Sequence, residues 1–353
     1  MSVTFERPHA LGTHRVIEPA GAMPQSAWKI DSTPVACENE ILCEVETLNI
    51  DSASFKQIAD AEGGDAAKIA AHVERIIRER GKQHNPVTGS GGMFIGRVLE
   101  VGRALRGVDV APGDRIASLV SLTLTPLHLE SIERVDVATG RIWVKAKAIL
   151  FASGLWAKLP ADIDENVALA VLDVAGAPAQ VKRMVKPGHT VVVIGADGKS
   201  GMLSCAQAKV RAGASGRVIG VVPDLATPSA RLLMTAGLVD ALVSSDARDA
   251  LGTSAAVAAQ APSLADVVVN CVNVPGTELA SILCAKDDAI VYFFSMSTSF
   301  TAAALGAEGV GKDVTMIVGN GYCKGHADTA LQTLRENPAI HAYFDAKYIQ
   351  GAV

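Results

Sequence analysis

The clearest chemistry in the chain lies in seven consecutive residues, Gly195-Ala196-Asp197-Gly198-Lys199-Ser200-Gly201. They follow the apolar run 191–194 directly and lead into a helical stretch from Met202. Glycines in such a turn let the backbone reverse tightly and approach a pyrophosphate, which rests against the free N–H groups that open the helix. Alone, the spacing G-x-x-G-x-x-G says little. Between an apolar strand and a helix, with more strand–helix units behind it, it predicts a dinucleotide site. Gly195, Gly198, Lys199, Ser200 and Gly201 are the residues expected on the phosphates. Gly198-Lys199-Ser200 also imitates the end of a triphosphate-binding P-loop, but that spacing requires a glycine where Val193 stands. A nucleoside triphosphatase is therefore excluded.

The acid that grips an NAD ribose normally ends the second strand of such a domain, and here that strand ends Val221-Val222-Pro223-Asp224. Val222 occupies the acidic position and Asp224 follows two residues later. Asp224 is thus the candidate ribose ligand and NAD the expected cofactor, with NADP as the alternative. Arg217 lies at the wrong end of the strand to hold a 2′-phosphate, whereas Arg231, on the next helix, has the reach. Cys271, Val272 and Ser295, at the ends of later strands, complete the expected cofactor lining. Cys271 is expected to pack near the ribose rather than to act as a nucleophile.

The elements that must carry this turn are legible from rhythm. In the second half, apolar runs at 191–194, 218–222, 267–270 and 290–294 alternate with helical stretches rich in Ala and Leu. That order predicts a parallel sheet covered on both faces, a Rossmann doubly wound domain. The first half is strand-dominated: 40–49 alternates and is β-branched, 93–101 reads as a strand, and a Pro112-Gly113-Asp114 turn precedes another at 115–120. One amphipathic helix is inserted at 61–80, with Ile69, Val73, Ile76 and Ile77 at helical spacing and Gly81 ending it. The expected fold class is α/β. Its division is a β-rich catalytic domain over 1–168 with a helical insertion near 60–81, a Rossmann domain over 169–318, and a return to the catalytic domain over 319–353.

Composition narrows the function. A length of 353 residues suits two domains. A net charge of −5 argues against nucleic acid or an anionic membrane as partner. Six scattered cysteines with no Cys-x-x-Cys pair fit free thiols in a reducing compartment. No apolar run approaches the ~20 residues that span a bilayer, and the charged start shows no signal peptide, so a cytoplasmic protein is expected.

The order of elements resembles the medium-chain dehydrogenase/reductase superfamily. The resemblance rests on Glu100-Val101-Gly102, Pro112-Gly113-Asp114-Arg115, Val185-Lys186-Pro187-Gly188 and the stretch DVVVNCVNVPGT at 266–277. It implies a GroES-like first domain. Zinc-dependent members place a cysteine, a His-Glu pair and a third ligand where this chain carries Asp51, Gly92-Met93 and a position near Asp173. Without imidazole or thiolate there, no metal is expected.

Five stretches of the first domain, GTHRVIEP, PQSAWKID, LNIDSASF, NPVTGSGGMFIG and SLTLTPL, resemble more closely the L-erythro-3,5-diaminohexanoate dehydrogenase family. The resemblance implies oxidative deamination at C3 of that diamino acid to 5-amino-3-oxohexanoate in lysine fermentation, with NAD(P)H and ammonium released. Two ammonium groups call for carboxylates, and Asp51 and Asp173 are the candidates, Asp51 first as base because it stands where the reactive centre lies in zinc members. His14 and Arg15 are candidates for the substrate carboxylate, and Ser52 and Thr123 for further substrate contacts. Each has a structural reading beside it: an aspartate at a strand end often caps a helix, Asp173 on a helix suits a salt bridge, and Arg15 suits a pair with Glu18. The competing functions are a zinc-free quinone or enoyl reductase, whose site needs few carboxylates, and a dinucleotide-binding protein without catalysis. A homodimer or homotetramer is expected, with 290–296 and 314–318 as the joining sheet edge.

Overall fold

The computed structural model describes residues 8–319 and 321–351, apart from the side chains of residues 52 and 53. The chain divides into two compact units, one ending at Leu159 and one beginning at Pro160.

The first unit contains β1 (Val16–Glu18), β2 (Lys29–Ile30), β3 (Glu40–Asn49), α1 (Ser52–Ala61), α2 (Ala66–Arg80), β4 (Met93–Val101), β5 (Arg115–Ser118), β6 (Leu127–Asp136), β7 (Arg141–Phe151) and β8 (Trp156–Lys158). Its main sheet runs β6-β7-β3-β4-β5-β8, with every neighbour antiparallel. β3 and β4 keep their expected bounds because inward residues such as Ile41, Cys43, Val45, Phe94 and Val98 alternate into one core. The helix expected over 61–80 begins only at Ala66, and a further helix, α1, precedes it. Gly63 and Gly64, both at positive φ, separate the two, and Asp65 starts α2 by accepting the Ala67 and Lys68 amides. Ile69, Val73, Ile76 and Ile77 form the buried face of α2 as their spacing requires. The long β6–β7 hairpin was not anticipated. Its turn is closed by Asp136, whose carboxylate accepts the Ala138 amide at 3.0 Å.

The second unit contains α3 (Glu165–Leu172), α4 (Gly176–Met184), β9 (Thr190–Ile194), α5 (Lys199–Ala212), β10 (Arg217–Val222), α6 (Pro228–Thr235), β11 (Ala241–Ser244), α7 (Ala250–Gln260), β12 (Ala265–Asn270), α8 (Glu278–Leu283), β13 (Ala285–Phe293), α9 (Phe300–Val310), β14 (Val314–Val318), α10 (His326–Arg335) and α11 (Pro338–Tyr348). Its six strands are all parallel, in the order β11-β10-β9-β12-β13-β14. This is the doubly wound order, and the chain reverses direction across the sheet between β9 and β12, the point where such sheets bind ligands. Val191 to Ile194 are fully buried, as a strand covered on both faces must be.

The expected domain bounds are corrected in two places. The division falls at Leu159 rather than 168, and the last segment belongs to the second unit instead of returning to the first. α10 and α11 pack on α3, α4 and α5, burying Ala330, Leu331 and Leu334. Arg335 adds a bidentate pair to Asp162, at 2.7 and 2.8 Å.

Candidate functional site

In the second unit, β9 delivers the chain into Gly195, whose φ of +77° lies in the left-handed region. A Cβ there would come within 2.9 Å of the Val272 side chain, at the end of β12. Gly201 is tighter still: a Cβ would stand 2.1 Å from the Gly195 carbonyl oxygen and 2.7 Å from Ala196 Cα. These two glycines let α5 start against the strand end. Gly198 is different, since a Cβ there would meet nothing nearer than 3.5 Å. Gly198 is the N-cap of α5, which begins at Lys199, three residues before the expected start. No side chain caps it, so the first-turn N–H groups face outward where a phosphate would accept them. The loop therefore fits a dinucleotide.

Lys199 does not wait for phosphate alone. Its ammonium is paired with the Asp173 carboxylate at the end of α3. This corrects the catalytic role expected of Asp173: the cation it holds is the protein's own, and it ties α3 to the glycine loop.

A cavity of about 490 Å³ opens at the ends of β9, β10 and β12, lined in part by Gly195, Val222, Pro223, Asp246, Arg248 and Val272. Asp224 is not among its lining. Its carboxylate Oδ1 accepts the Ala226 amide at 2.8 Å and shapes the turn after β10. The charged groups of the cavity come instead from the β11–α7 loop. Arg248 grips Asp246 through Nε and Nη2, at 3.0 to 3.1 Å and 2.6 Å, and these bonds hold the Asp246 carboxyl down to about 2. Sequence reasoning missed both, although Ser245-Asp246-Ala247-Arg248 directly follows an apolar run. Ser295 shares Asn273 Oδ1 with Ser297, at 3.3 and 2.8 Å, which joins the ends of β12 and β13. Burial pushes the Cys271 thiol up to about 11, so it is no nucleophile at neutral pH.

In the first unit, Asp51 caps α1, with Oδ1 accepting the Ser54 amide at 3.0 Å. Its Oδ2 is buried and has no partner among the described residues. The start of α1 is pinned to the 85–90 loop. Ser54 Oγ bonds Thr88 Oγ1, and Asn85 Nδ2 donates to Gln57 Oε1 at 2.8 Å. Gly92, at φ +99°, runs so close to Asp51 that a Cβ would lie 2.9 Å from its amide nitrogen. Gly91 beside it would place a Cβ 2.5 Å from the Gln83 carbonyl and 2.9 Å from the Thr123 amide. Thr123 is buried, and its Oγ1 too lacks a partner. Asp51, Thr123 and Gln83 thus border one glycine pair. The side chain of Ser52 lies outside what the structure describes.

His14 and Arg15 are corrected. Arg15 is fully buried, and its five N–H donors reach both oxygens of Glu40 (2.7 Å each) and the carbonyls of Asp31, Thr33 and Val35. No donor remains for a substrate carboxylate. His14 bonds the same Glu40 at 2.9 Å. His14, Cys37 and Glu40 bring potential metal-binding atoms within 4.8 Å of one another, but the guanidinium on both Glu40 oxygens occupies the place a cation would take.

Residues 14–160 match the family described as L-erythro-3,5-diaminohexanoate dehydrogenase N-terminal domain. The chain is 52% identical over 342 residues to the L-erythro-3,5-diaminohexanoate dehydrogenase of Acetoanaerobium sticklandii, spanning 96% of this chain and 98% of the relative. It is 51% identical over 340 residues to that of Fusobacterium nucleatum, with the same coverage of 96% and 98%. Among solved structures, a mycobacterial protein complexed with NADPH shares the fold. Its TM-score is 0.53 at 18% identity, over 92% of this chain and 84% of that one.

Proposed function

The chain belongs to the L-erythro-3,5-diaminohexanoate dehydrogenase family, and we propose that it oxidises the C3 amine of that diamino acid with a nicotinamide dinucleotide, a step of lysine fermentation. Substrate, water and the oxidised dinucleotide become 5-amino-3-oxohexanoate, ammonium, the reduced dinucleotide and a proton. The observation that carries the chemistry is the buried Oδ2 of Asp51, which has no partner among the described residues.

A hydride leaves readily only from a neutral amine, so the C3 ammonium must first lose a proton. Asp51 Oδ2 accepts it, while the Ser54 amide on Oδ1 keeps the carboxylate aimed. The nicotinamide supplies the hydride acceptor. Water adds to the resulting iminium carbon and releases one proton to solvent; Asp51 Oδ2 returns its proton to the amino nitrogen, and ammonia leaves, taking up the hydroxyl proton as ammonium while the ketone forms. Gly195, Gly201 and the open first turn of α5 hold the pyrophosphate. Asp173 has no part in proton transfer, and the reaction needs no zinc, because positions 51 and 92–93 carry Asp, Gly and Met.

NAD is the working cofactor in this reading. What supports it is Asp246, a carboxylate held ionised in the lining of the cavity at the strand ends, where a 2′-phosphate on a dinucleotide bound there would be repelled. The chain acts as a homodimer, or a tetramer built from it, joined along β14. That strand ends the sheet order, and Gly319, just past it, lies beside Met296, which is 83% exposed. Among the described residues no helix is long and apolar enough to cross a membrane.

The deciding experiment follows absorbance of the reduced nicotinamide with L-erythro-3,5-diaminohexanoate and NAD or NADP, with ammonium measured in parallel. Reduction matched by ammonium release is expected. Dinucleotide binding without reduction would sink the assignment and favour conjugated carbonyls as substrates.

A further inference from the structure

The segment Arg80-Gly81-Lys82-Gln83-His84 joins α2 to the loop beside Asp51, and its burial is hard to explain as packing alone. Lys82 is 0% exposed and Arg80 5%. Among the described residues neither meets a carboxylate: Lys82 Nζ donates to the Pro24 and Gln25 carbonyls at 2.6 and 3.1 Å, and Arg80 to those of Trp28 and His84. Two buried cations without a counter-ion are costly, and an anion brought beside them lowers that cost. Burial and the charge of Arg80 push Lys82 down to about 7, and burial with both cations pushes His84 down to about 4. The region is thus short of negative charge.

Gln83, between the two cations and His84 in sequence, is 0% exposed, and neither Nε2 nor Oε1 has a partner among the described residues. Thr123, 1% exposed, leaves Oγ1 equally unmatched. Each unmade bond at a buried polar group costs about 1–3 kcal/mol, so donors that the fold leaves open point to a ligand. The main chains of both residues pass beside Gly91, through the Gln83 carbonyl and the Thr123 amide, and the Asp51 amide lies beside the next residue, Gly92. We infer that Gln83 and Thr123 bind the carboxylate of the amino-acid substrate, with Arg80 and Lys82 supplying positive field behind them and Asp51 receiving the ammonium. The inference rests on the proposed deaminating activity and assigns that substrate's other end. Gln83 Nε2 and Thr123 Oγ1 donate to the carboxylate oxygens. Arg80 and Lys82 are positioning residues, held by backbone carbonyls behind the carboxylate.

The test compares KM for L-erythro-3,5-diaminohexanoate and for its methyl ester, which keeps both amines and loses the anion. Wild type should show a KM at least about tenfold higher for the ester, the range expected for losing hydrogen bonds to a charged group. Gln83→Leu and Thr123→Val should each raise KM for the acid by about tenfold or more, with smaller changes for the ester. Gln83→Glu should abolish the preference for the acid. NADH binding and the melting temperature verify folding, and if the Gln83 variants do not fold, the near-isosteric Thr123→Val carries the test. Turnover with an unchanged KM for the acid in folded variants, or a wild type indifferent to esterification, would overturn this inference alone. No turnover of the acid by wild type would overturn it together with the activity beneath it.

Discussion

Gly201 sits against Gly195 so closely that the hydrogen replacing a side chain is what allows the carbonyl of Gly195 to pass: a Cβ at 201 would lie 2.1 Å from that oxygen. Gly198, three residues before it in the same loop, would place a Cβ in ordinary contact, 3.5 Å from the Gly195 carbonyl oxygen, and has an ordinary φ of −79°. The loop's glycines therefore separate by function. Gly201→Ala should cost about 1–3 kcal/mol of stability through overpacking and weaken NADH binding by tenfold or more, about 1.4 kcal/mol. Gly198→Ala should melt as wild type and keep most of its affinity. NADH fluorescence titrations on both variants check this, and equal losses would show that backbone crowding is not what the glycines relieve.

Asp246 offers a way to change cofactor preference without touching β10. Replacing it with Asn removes the carboxylate that repels a 2′-phosphate and releases the Arg248 guanidinium it holds. The ratio of kcat/KM for NADP over NAD should rise by about tenfold, equivalent to roughly 1.4 kcal/mol. A wild type that already prefers NADP, or an Asp246→Asn variant with the same ratio, would refute the placement of selectivity in the β11–α7 loop.

Much of this was legible in the sequence, and what was not has identifiable causes. The continuous apolar strands of the second unit and the glycine turn announce themselves locally, because burial on both faces leaves no polar positions. The four-residue β11 was too short to register, so the loop after it, with Asp246 and Arg248, went unread. Arg15 misled because its partner, Glu40, lies 25 residues away, and no periodicity encodes such a distance. The β6–β7 hairpin was hidden because β6 is half-exposed, with Glu130, Glu133 and Arg134 interrupting any alternation. Gln83 carries no motif at all; its interest lies in bonds it does not make.

The Arg15–Glu40 pair predicts how the fold responds to acid. Burial alone would raise the Glu40 carboxyl, but hydrogen bonds from Arg15 and His14 and the charge of Arg15 bring it down to about 2 from its usual 4.5. A carboxyl lowered in the folded state adds stability that is complete above its unfolded value and is lost as pH falls through the folded one. Unfolding free energy should therefore drop between about pH 4.5 and pH 2. Arg15→Ala, which strands a buried carboxylate, should cost about 3–5 kcal/mol at neutral pH and remove that acid-dependent component. Denaturant titrations at several pH values check both, and a variant as acid-sensitive as wild type would assign the effect elsewhere.

The same cluster bears on metal dependence. Arg15 fills both oxygens of Glu40, and burial, then the nearby Glu40 charge, push the Cys37 thiol up to about 11, so the His14, Cys37 and Glu40 grouping offers a cation little. Prolonged dialysis against a zinc chelator should leave kcat and KM unchanged. Activity lost on chelation and restored by zinc would contradict the zinc-free reading at positions 51 and 92–93.

Asp51 is the most direct test of the chemistry. Its Oδ1 is committed to the Ser54 amide, so an asparagine with its side-chain oxygen in that place keeps the helix cap and converts only Oδ2 into an amide that cannot take a proton. Fold and cap should survive: Asn is as good an N-cap as Asp, and the melting temperature should move little. Proton transfer by a positioned base contributes about 10²–10⁴-fold, so Asp51→Asn should lower kcat by that factor while NADH still binds normally. A small base such as methylamine or imidazole, present in excess, should then restore part of the rate, which a merely structural aspartate would not permit. If the variant retains more than about a tenth of wild-type kcat, well short of the loss expected for a base, Asp51 is a helix cap and another group takes the proton.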